Sequence, residues 1–302
     1  MLIAITREPS PSLARCELTF LAPRSIDVAL ARAQHRSYVA ALVAAGCEVV
    51  TLPAEPELPD AVFVEDPAIV VDELAILTRP GALSRRGEVG SIGEALAPYR
   101  ALARLVAPAT LDGGDVLRIG RTLYVGRTAR TNQAAVEQLR ALLGPLDYAI
   151  EEVPVVGCLH LKSAITAIGD GVLLANRAMV DVARFGGATI IDVDADEPHA
   201  ANALRVGARL IYPSCYPRTR ARLANFDVIE VLTILTSRTV ELLSASAAGI
   251  LLADEVGRLR VMAASTEQIQ LLELFQLQND EGPCLDCFRS GAVIAEAHLD
   301  RS

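Results

Sequence analysis

Glu65 and Asp66 stand side by side in FVEDP (63–67), directly after a short apolar run. Paired carboxylates can grip a planar cation such as a guanidinium, or divide acid and base roles. Adjacent residues of an extended strand face opposite ways, so both reach one ligand only if the strand ends there. A solvated loop pair is the plainer alternative. A third acid, Asp112, lies in the glycine-rich LDGGDV (111–116). Gly113 and Gly114 match no phosphate-cradling spacing, and imply instead positive φ or close packing. Of the four histidines, His160 is set apart by flanking Leu159 and Leu161. An imidazole in an apolar setting is either a satisfied core residue or, with a carboxylate to orient it, a general acid–base. Asp112 is the candidate partner.

The thiols are the other source of chemistry. The six cysteines are scattered, which fits reduced thiols in a cytoplasm better than a disulfide framework. Cys16, Cys47, Cys158 and Cys215 read as small buried hydrophobes. Cys158 is two residues from His160, so in a strand the two share a face. Cys284 and Cys287 form a lone CLDC with no second pair in register, and His298 does not complete a zinc set. Asp192, Asp194 and Asp196 imitate the start of a calcium loop. Its sixth position is Glu197 rather than Gly, and its twelfth is Ala203 rather than Glu, so that reading is rejected. Neither a metal nor a cofactor is expected.

The elements that must position these groups alternate along the chain. Leu2–Thr6 and Cys47–Leu52 read as strands, and Ile26–Ala45 as a helix stopped by Gly46. An apolar run, a tight polar turn and a second apolar run then recur at 68–78, 115–126, 164–175 and 203–213. Each reads as a β-hairpin, with helical segments at 85–99 and 132–143 between them. Such repetition means one supersecondary unit used several times, an α/β architecture arranged around a centre. Near residue 225 the character changes. Residues 226–302 hold 12 acidic and 5 basic side chains, out of 37 and 28 in the whole chain. Phe226–Ser244 has helical apolar spacing, and 249–265 reads as two strands around a turn.

Composition narrows the classes. The chain has 302 residues, a net charge of -9 and a single lysine, Lys162, which argues against a nucleic-acid partner. The longest uncharged apolar stretch, 242–253, is too short to cross a bilayer. The start, MLIAITREP, has no basic region leading an apolar one, so no signal peptide is expected and the location expected is cytoplasmic.

Taken together, FVEDP, SRRGEV (84–89), LDGGDV, GRTARTN (126–132) and CLHLKSAIT (158–166) resemble the dimethylargininase branch of the arginine deiminase superfamily. The resemblance runs from residue 1 to about 225 and includes the opening CELTFLAPRSIDVALARAQHRSYVAAL and the late YPRTRARL. It implies the pentein β/α-propeller. It implies further that Asp60, Glu65 and Asp66 hold a substrate guanidinium, and that Arg85 and Arg130 hold its carboxylate. His160 would be the general acid–base, oriented by Asp112, and Leu18 would line the entrance. The activity implied is hydrolysis of a methylated arginine, a small guanidine, to citrulline and an amine by covalent cysteine catalysis.

The family's nucleophilic cysteine lies in its last module, and the resemblance ends before it. From 226 to 302 the chain is similar instead to the first half of a GAF domain of GAF–ANTAR regulators, an α+β segment. The expectation is therefore a pentein lacking its last module, followed by a partial GAF-like domain. Cys284, after Gly282-Pro283, or Cys287 would have to replace the nucleophile. The alternatives are a substrate-binding or GAF-type sensing protein without turnover, or a non-functional gene fusion. Module edges left open would favour homo-oligomers.

Overall fold

The computed structural model of the protein describes residues 2–18, 26–230, 249–253, 259–264 and 283–290. Two units are distinguished, Met1–Val231 and Leu232–Ser302. The first opens with β1 (Leu2–Arg7), α1 (Val28–Ala44) and β2 (Cys47–Leu52). β1 and β2 pair in parallel from Leu2↔Cys47 to Arg7↔Leu52. A parallel pair needs a crossover, and α1 supplies it. The Asp27 carboxylate caps α1 by accepting from the Leu30 N–H at 2.9 Å.

Four three-stranded modules follow, each a hairpin plus a third strand parallel to the hairpin's second. The first is β3 (Ala68–Val70), β4 (Leu74–Leu77), α2 (Val89–Leu96) and β5 (Ala101–Arg104). The second is β6 (Val116–Ile119), β7 (Thr122–Arg127), α3 (Gln133–Leu143) and β8 (Ala149–Pro154). A short helix, α4 (Leu161–Ala164), leads into the third, β9 (Ile165–Gly169), β10 (Val172–Ala175) and β11 (Thr189–Asp192). The fourth is β12 (Leu204–Val206), β13 (Arg209–Tyr212), α5 (Pro217–Arg222) and β14 (Asp227–Glu230). All four expected hairpins form, with α1 and α3 where the spacing placed them. The helical segment at 85–99 is a 3-10 turn, Leu83–Glu88, running into the shorter α2.

Five packing seams join these pieces in a cycle. One buried cluster joins Ile69 and Ile76 to Val116 and Leu123. A second joins Leu117 to Ile165 and Leu173. A third joins Ile168 and Leu174 to Leu210 and Tyr212. In a fourth, Ala41 and Leu42 of α1 meet Val206 and Ile211. A fifth packs Ile5 and Leu52 against Ala75 and Leu77. The β1–α1–β2 segment thus fills the fifth position of a ring. This corrects the expectation that a whole module is missing. Among the described residues, the fifth sheet has only the second and third strands of the pattern; nothing there pairs as a first strand beside β1.

A second correction concerns the segment expected to be an amphipathic helix from Phe226. Asp227–Glu230 is instead a strand, paired in parallel with β13 from Arg209↔Asp227 to Tyr212↔Glu230. Helical apolar spacing yields here to a sheet edge that needed a partner. The remainder of that segment lies outside the described residues. In the second unit, β15 (Gly249–Ala253) and β16 (Leu259–Ala264) form the antiparallel pair expected at 249–265, and α6 spans Pro283–Ser290. No described helix is long and apolar enough to cross a membrane.

Candidate active site

The chemistry-bearing residues sit just ahead of the first strand of successive modules. Asp60, Glu65 and Asp66 precede β3, Asp112 precedes β6, and His160 precedes β9. The repeated module therefore delivers one segment from each sector to a common place. Asp66, Asp112 and His160 come together, with one donor atom of each within 4.8 Å of the others.

His160 and Asp112 form the pair expected of an oriented imidazole. Nε2 lies 3.1 Å from Asp112 Oδ2, and the Gly81 N–H donates to Oδ1 at 2.9 Å. Asp112 is fully buried. Burial raises its pKa, but the bonds from His160 and Gly81 and the His160 charge outweigh that, and the net position is below the ordinary carboxylate value. An ionised Asp112 makes Nε2 the protonated nitrogen and leaves Nδ1 free as a base. For His160, burial favours the neutral ring. The Asp112 bond and the charges of Asp66, Asp115 and Asp112 overcome it, so the pKa is raised.

The stability carried by this pair is complete below the ordinary imidazole pKa and is lost as pH rises through the raised folded value. Asp112→Asn is expected to move the His160 midpoint down, read from its imidazole carbon signals across a pH titration. An unchanged midpoint would mean that Asp112 does not hold the ring's charge.

The two glycines of LDGGDV are there for proximity. Neither has positive φ. A Cβ at Gly114 would lie 2.6 Å from His160 Nδ1 and 2.9 Å from Asp66 Oδ1, and one at Gly113 would strike the Glu65 carbonyl. The Gly114 N–H donates to Asp66 Oδ1 at 2.9 Å. The Asp66 carbonyl accepts from the Thr78 hydroxyl and from the Gly113 N–H.

Glu65 and Asp66 lie in the turn that leads into β3, closed by the Asp66 N–H donating to the Phe63 carbonyl at 3.2 Å, and their side chains meet different surroundings. Asp66 is buried, whereas Glu65 is exposed and accepts from Lys162 Nζ at 2.5 Å. Asp60 is buried near the N-terminal loop, its carboxylate accepting from the Glu17 N–H at 3.2 Å. Burial lifts its pKa, with Arg85 and Arg130 opposing. Leu18 is exposed.

Arg85 is held more tightly than an open carboxylate receptor would be. Its Nε and Nη2 fork onto Glu88 at 3.0 and 2.8 Å, and its Nη1 reaches Asp66 Oδ2 at 2.5 Å. All three residues are buried. Burial pushes Glu88 up to about 7 against the lowering effect of Arg85. Glu88 escaped the sequence reading; its i, i+3 spacing from Arg85 in SRRGEV was the available signal. Arg130 is buried, its backbone N–H donating to the Thr128 hydroxyl at 3.1 Å.

Asp66, Asp112 and His160 are the one described group that could hold a metal. Two of their atoms are already bonded: Asp66 Oδ2 accepts from Arg85, and Asp112 Oδ2 is paired with His160 Nε2. The Asp192–Asp196 decoy is occupied by arginines, with Arg177 on Asp192 and Arg222 on Asp194.

Of the four thiols expected to be buried, only Cys158 is. Cys158 is buried, Cys16, Cys47 and Cys284 are half-buried, and Cys215 and Cys287 are exposed. Cys158 does not share a strand with His160; its Sγ donates to the His160 carbonyl at 3.3 Å. Burial, with the Asp115 charge, pushes the Cys158 thiol up to about 11, and burial also raises Cys16. Such thiols are poorly disposed to ionise. Cys284 and Cys287 lie in α6 of the second unit.

No family model matches the chain. An N(G),N(G)-dimethylarginine dimethylaminohydrolase of Streptomyces coelicolor is 41% identical over 223 residues, covering 74% of this chain and 86% of that protein. The enzyme of the same name from Pseudomonas aeruginosa is 37% identical over 209 residues, covering 68% of this chain and 82% of its own. A solved structure of the P. aeruginosa enzyme complexed with citrulline aligns at a TM-score of 0.72 and 35% identity, over 76% of this chain and 91% of that one. The N-terminal domain of the arginine dihydrolase ArgZ, at 18% identity and TM-score 0.68, shares the fold. The five-seamed ring, the segments converging ahead of successive modules and an identity above 35% across most of both relatives lead to one conclusion: the chain belongs to the dimethylarginine dimethylaminohydrolase family, within the pentein-type α/β fold.

Proposed function

We propose that the site formed by Asp66, Asp112 and His160 binds a methylated arginine and hydrolyses its guanidinium to citrulline and an amine. The observation that carries the reading is the half-buried His160 bonded to the buried Asp112 beside Asp66, in a chain of this family. Asp66, with Asp60 and Glu65, would hold the guanidinium, and a carboxylate fork suits that planar cation. Arg130 would hold the substrate's carboxylate. Arg85 could join it only by releasing Glu88 or Asp66. Leu18 would line the entrance. A thiolate would attack the guanidinium carbon, and His160 would give its proton to the departing amine. The resulting S-alkylthiouronium would then be cleaved by water that His160 deprotonates, releasing citrulline and the thiol. We assign the thiol to Cys284 or Cys287, and we read the segment after β14, out to 302, as GAF-like, its hairpin and α6 being compatible with that; the expected start at 226 falls inside the fourth module.

One observation favours a second reading, binding without turnover. The thiol bonded beside His160 is Cys158, and it is pushed up to about 11. Citrulline release from dimethylarginine by wild type, Cys284→Ser and Cys287→Ser separates the two. The hydrolase reading expects turnover that disappears in one of the variants. No release from folded protein that still binds the substrate would establish the second reading.

A further inference from the structure

Asp115, the last acid of LDGGDV, is fully buried and no role in the reaction has been given to it. Its two oxygens take three donors from two separate segments. Oδ1 accepts from the backbone N–H of Leu161, the residue after His160, at 3.0 Å. Oδ2 accepts from the hydroxyls of Thr128 and Thr131, both at 2.6 Å. Those threonines bracket Arg130, and the Thr128 hydroxyl accepts in turn from the Arg130 N–H. The Asp115 N–H donates to the Asp112 carbonyl at 2.9 Å. The Asp115 side chain is therefore bonded to the neighbours of His160 and Arg130, and its backbone to Asp112.

We propose that Asp115 is a positioning residue that fixes His160 and Arg130 in one geometry, so that the acid–base and the carboxylate-binding group are set together. The inference rests on the reading of those two as working residues. A carboxylate accepts all three donors at once, whereas an amide nitrogen could meet the threonines only by turning their hydroxyls into acceptors. The close surroundings agree with such a clamp. A Cβ at Gly126 would lie 3.0 Å from Asp115 Oδ1 and 2.8 Å from Leu161 Cβ, so glycine keeps room for the bond. The carboxylates around His160 are Asp112, Asp66 and Asp115, and the charge of each favours its protonated form.

The two arms can be separated. In Asp115→Asn the amide oxygen can still meet Leu161, but the amide nitrogen then faces the threonines, and the negative charge beside His160 is gone. Thr128→Val cuts only the arm to Arg130. The measurements are calorimetric binding of citrulline and the pH titration of the His160 imidazole by NMR. Thr128→Val should weaken citrulline about tenfold, the worth of one or two buried hydrogen bonds, and leave the His160 midpoint in place. Asp115→Asn should weaken citrulline at least as much and also lower the midpoint. A merely structural role would not move the two readouts separately. Folded Asp115→Asn with both unchanged, or Thr128→Val shifting both alike, overturns the proposal. Should wild type fail to bind citrulline, the site reading itself has failed, and the His160 midpoint in Asp115→Asn still decides the Asp115 arm on its own.

Discussion

Arg85→Leu is expected to destabilise the protein by about 3–5 kcal/mol, because it leaves the carboxylates of Asp66 and Glu88 buried without their shared cation. The Arg85 fork is the main compensation for Glu88, which burial already lifts to about 7. A carboxyl with a raised folded pKa binds more protons folded than unfolded. Its contribution is therefore complete below the ordinary glutamate value and falls as pH rises through about 7. Removing Arg85 takes away the effect that lowers Glu88, moving its titration further up and steepening that fall above neutrality. Urea unfolding at pH 6 and pH 8 checks both parts: the loss should be larger at pH 8. A loss below about 1 kcal/mol at both would show that the network contributes little, as many exposed ion pairs do.

Gly114→Ala is expected to weaken ligand binding about tenfold or more, the scale of one disrupted charge-assisted hydrogen bond. Its Cβ would stand 2.6 Å from His160 Nδ1, 2.8 Å from Cγ and 2.9 Å from Asp66 Oδ1. Both side chains must give way, and the bond from His160 to Asp112 stretches with them. The fold should survive at a cost of about 1–3 kcal/mol, because the obstructing atoms are side chains that can turn. Gly113→Ala differs in kind, since its Cβ meets the Glu65 backbone carbonyl and nothing there can rotate away. Thermal melts paired with citrulline titrations check the contrast. Gly114→Ala should weaken binding in a protein that still folds. Equal affinity in Gly114→Ala and wild type would show that Nδ1 does not face the ligand.

The hairpins were legible because alternating apolar runs around Gly- and Asp-rich turns leave one local solution. The third strands were not. β5 (ALAR), β8 (AIEEVP) and β11 (TIID) are short or charged, and only the sheet edge they complete makes them strands. β14 was hidden further inside an apolar run with helical spacing. Nor could the sequence alone place β1–α1–β2 in the fifth position, because that depends on seams with β4 and β13 at great chain distance. In the site, His160, Asp112 and Asp66 stood out as polar residues in apolar or glycine-rich settings. Asp115 lay in the same motif and carried no signal of its own, since its meaning comes from Thr128, Thr131 and Leu161. Glu65 and Asp66 looked equivalent, and only the fold separates a buried carboxylate from one paired with Lys162 at the surface.

On the proposed function, the site around Asp66 takes a guanidino amino acid. Calorimetric titration of dimethylarginine into a Cys284→Ser/Cys287→Ser protein, beside the same protein carrying Asp66→Asn, tests it without interference from turnover. Saturable binding is expected, weakening about tenfold or more when the carboxylate is lost. No saturable binding to the folded protein, or the same affinity with Asp66→Asn, would contradict it.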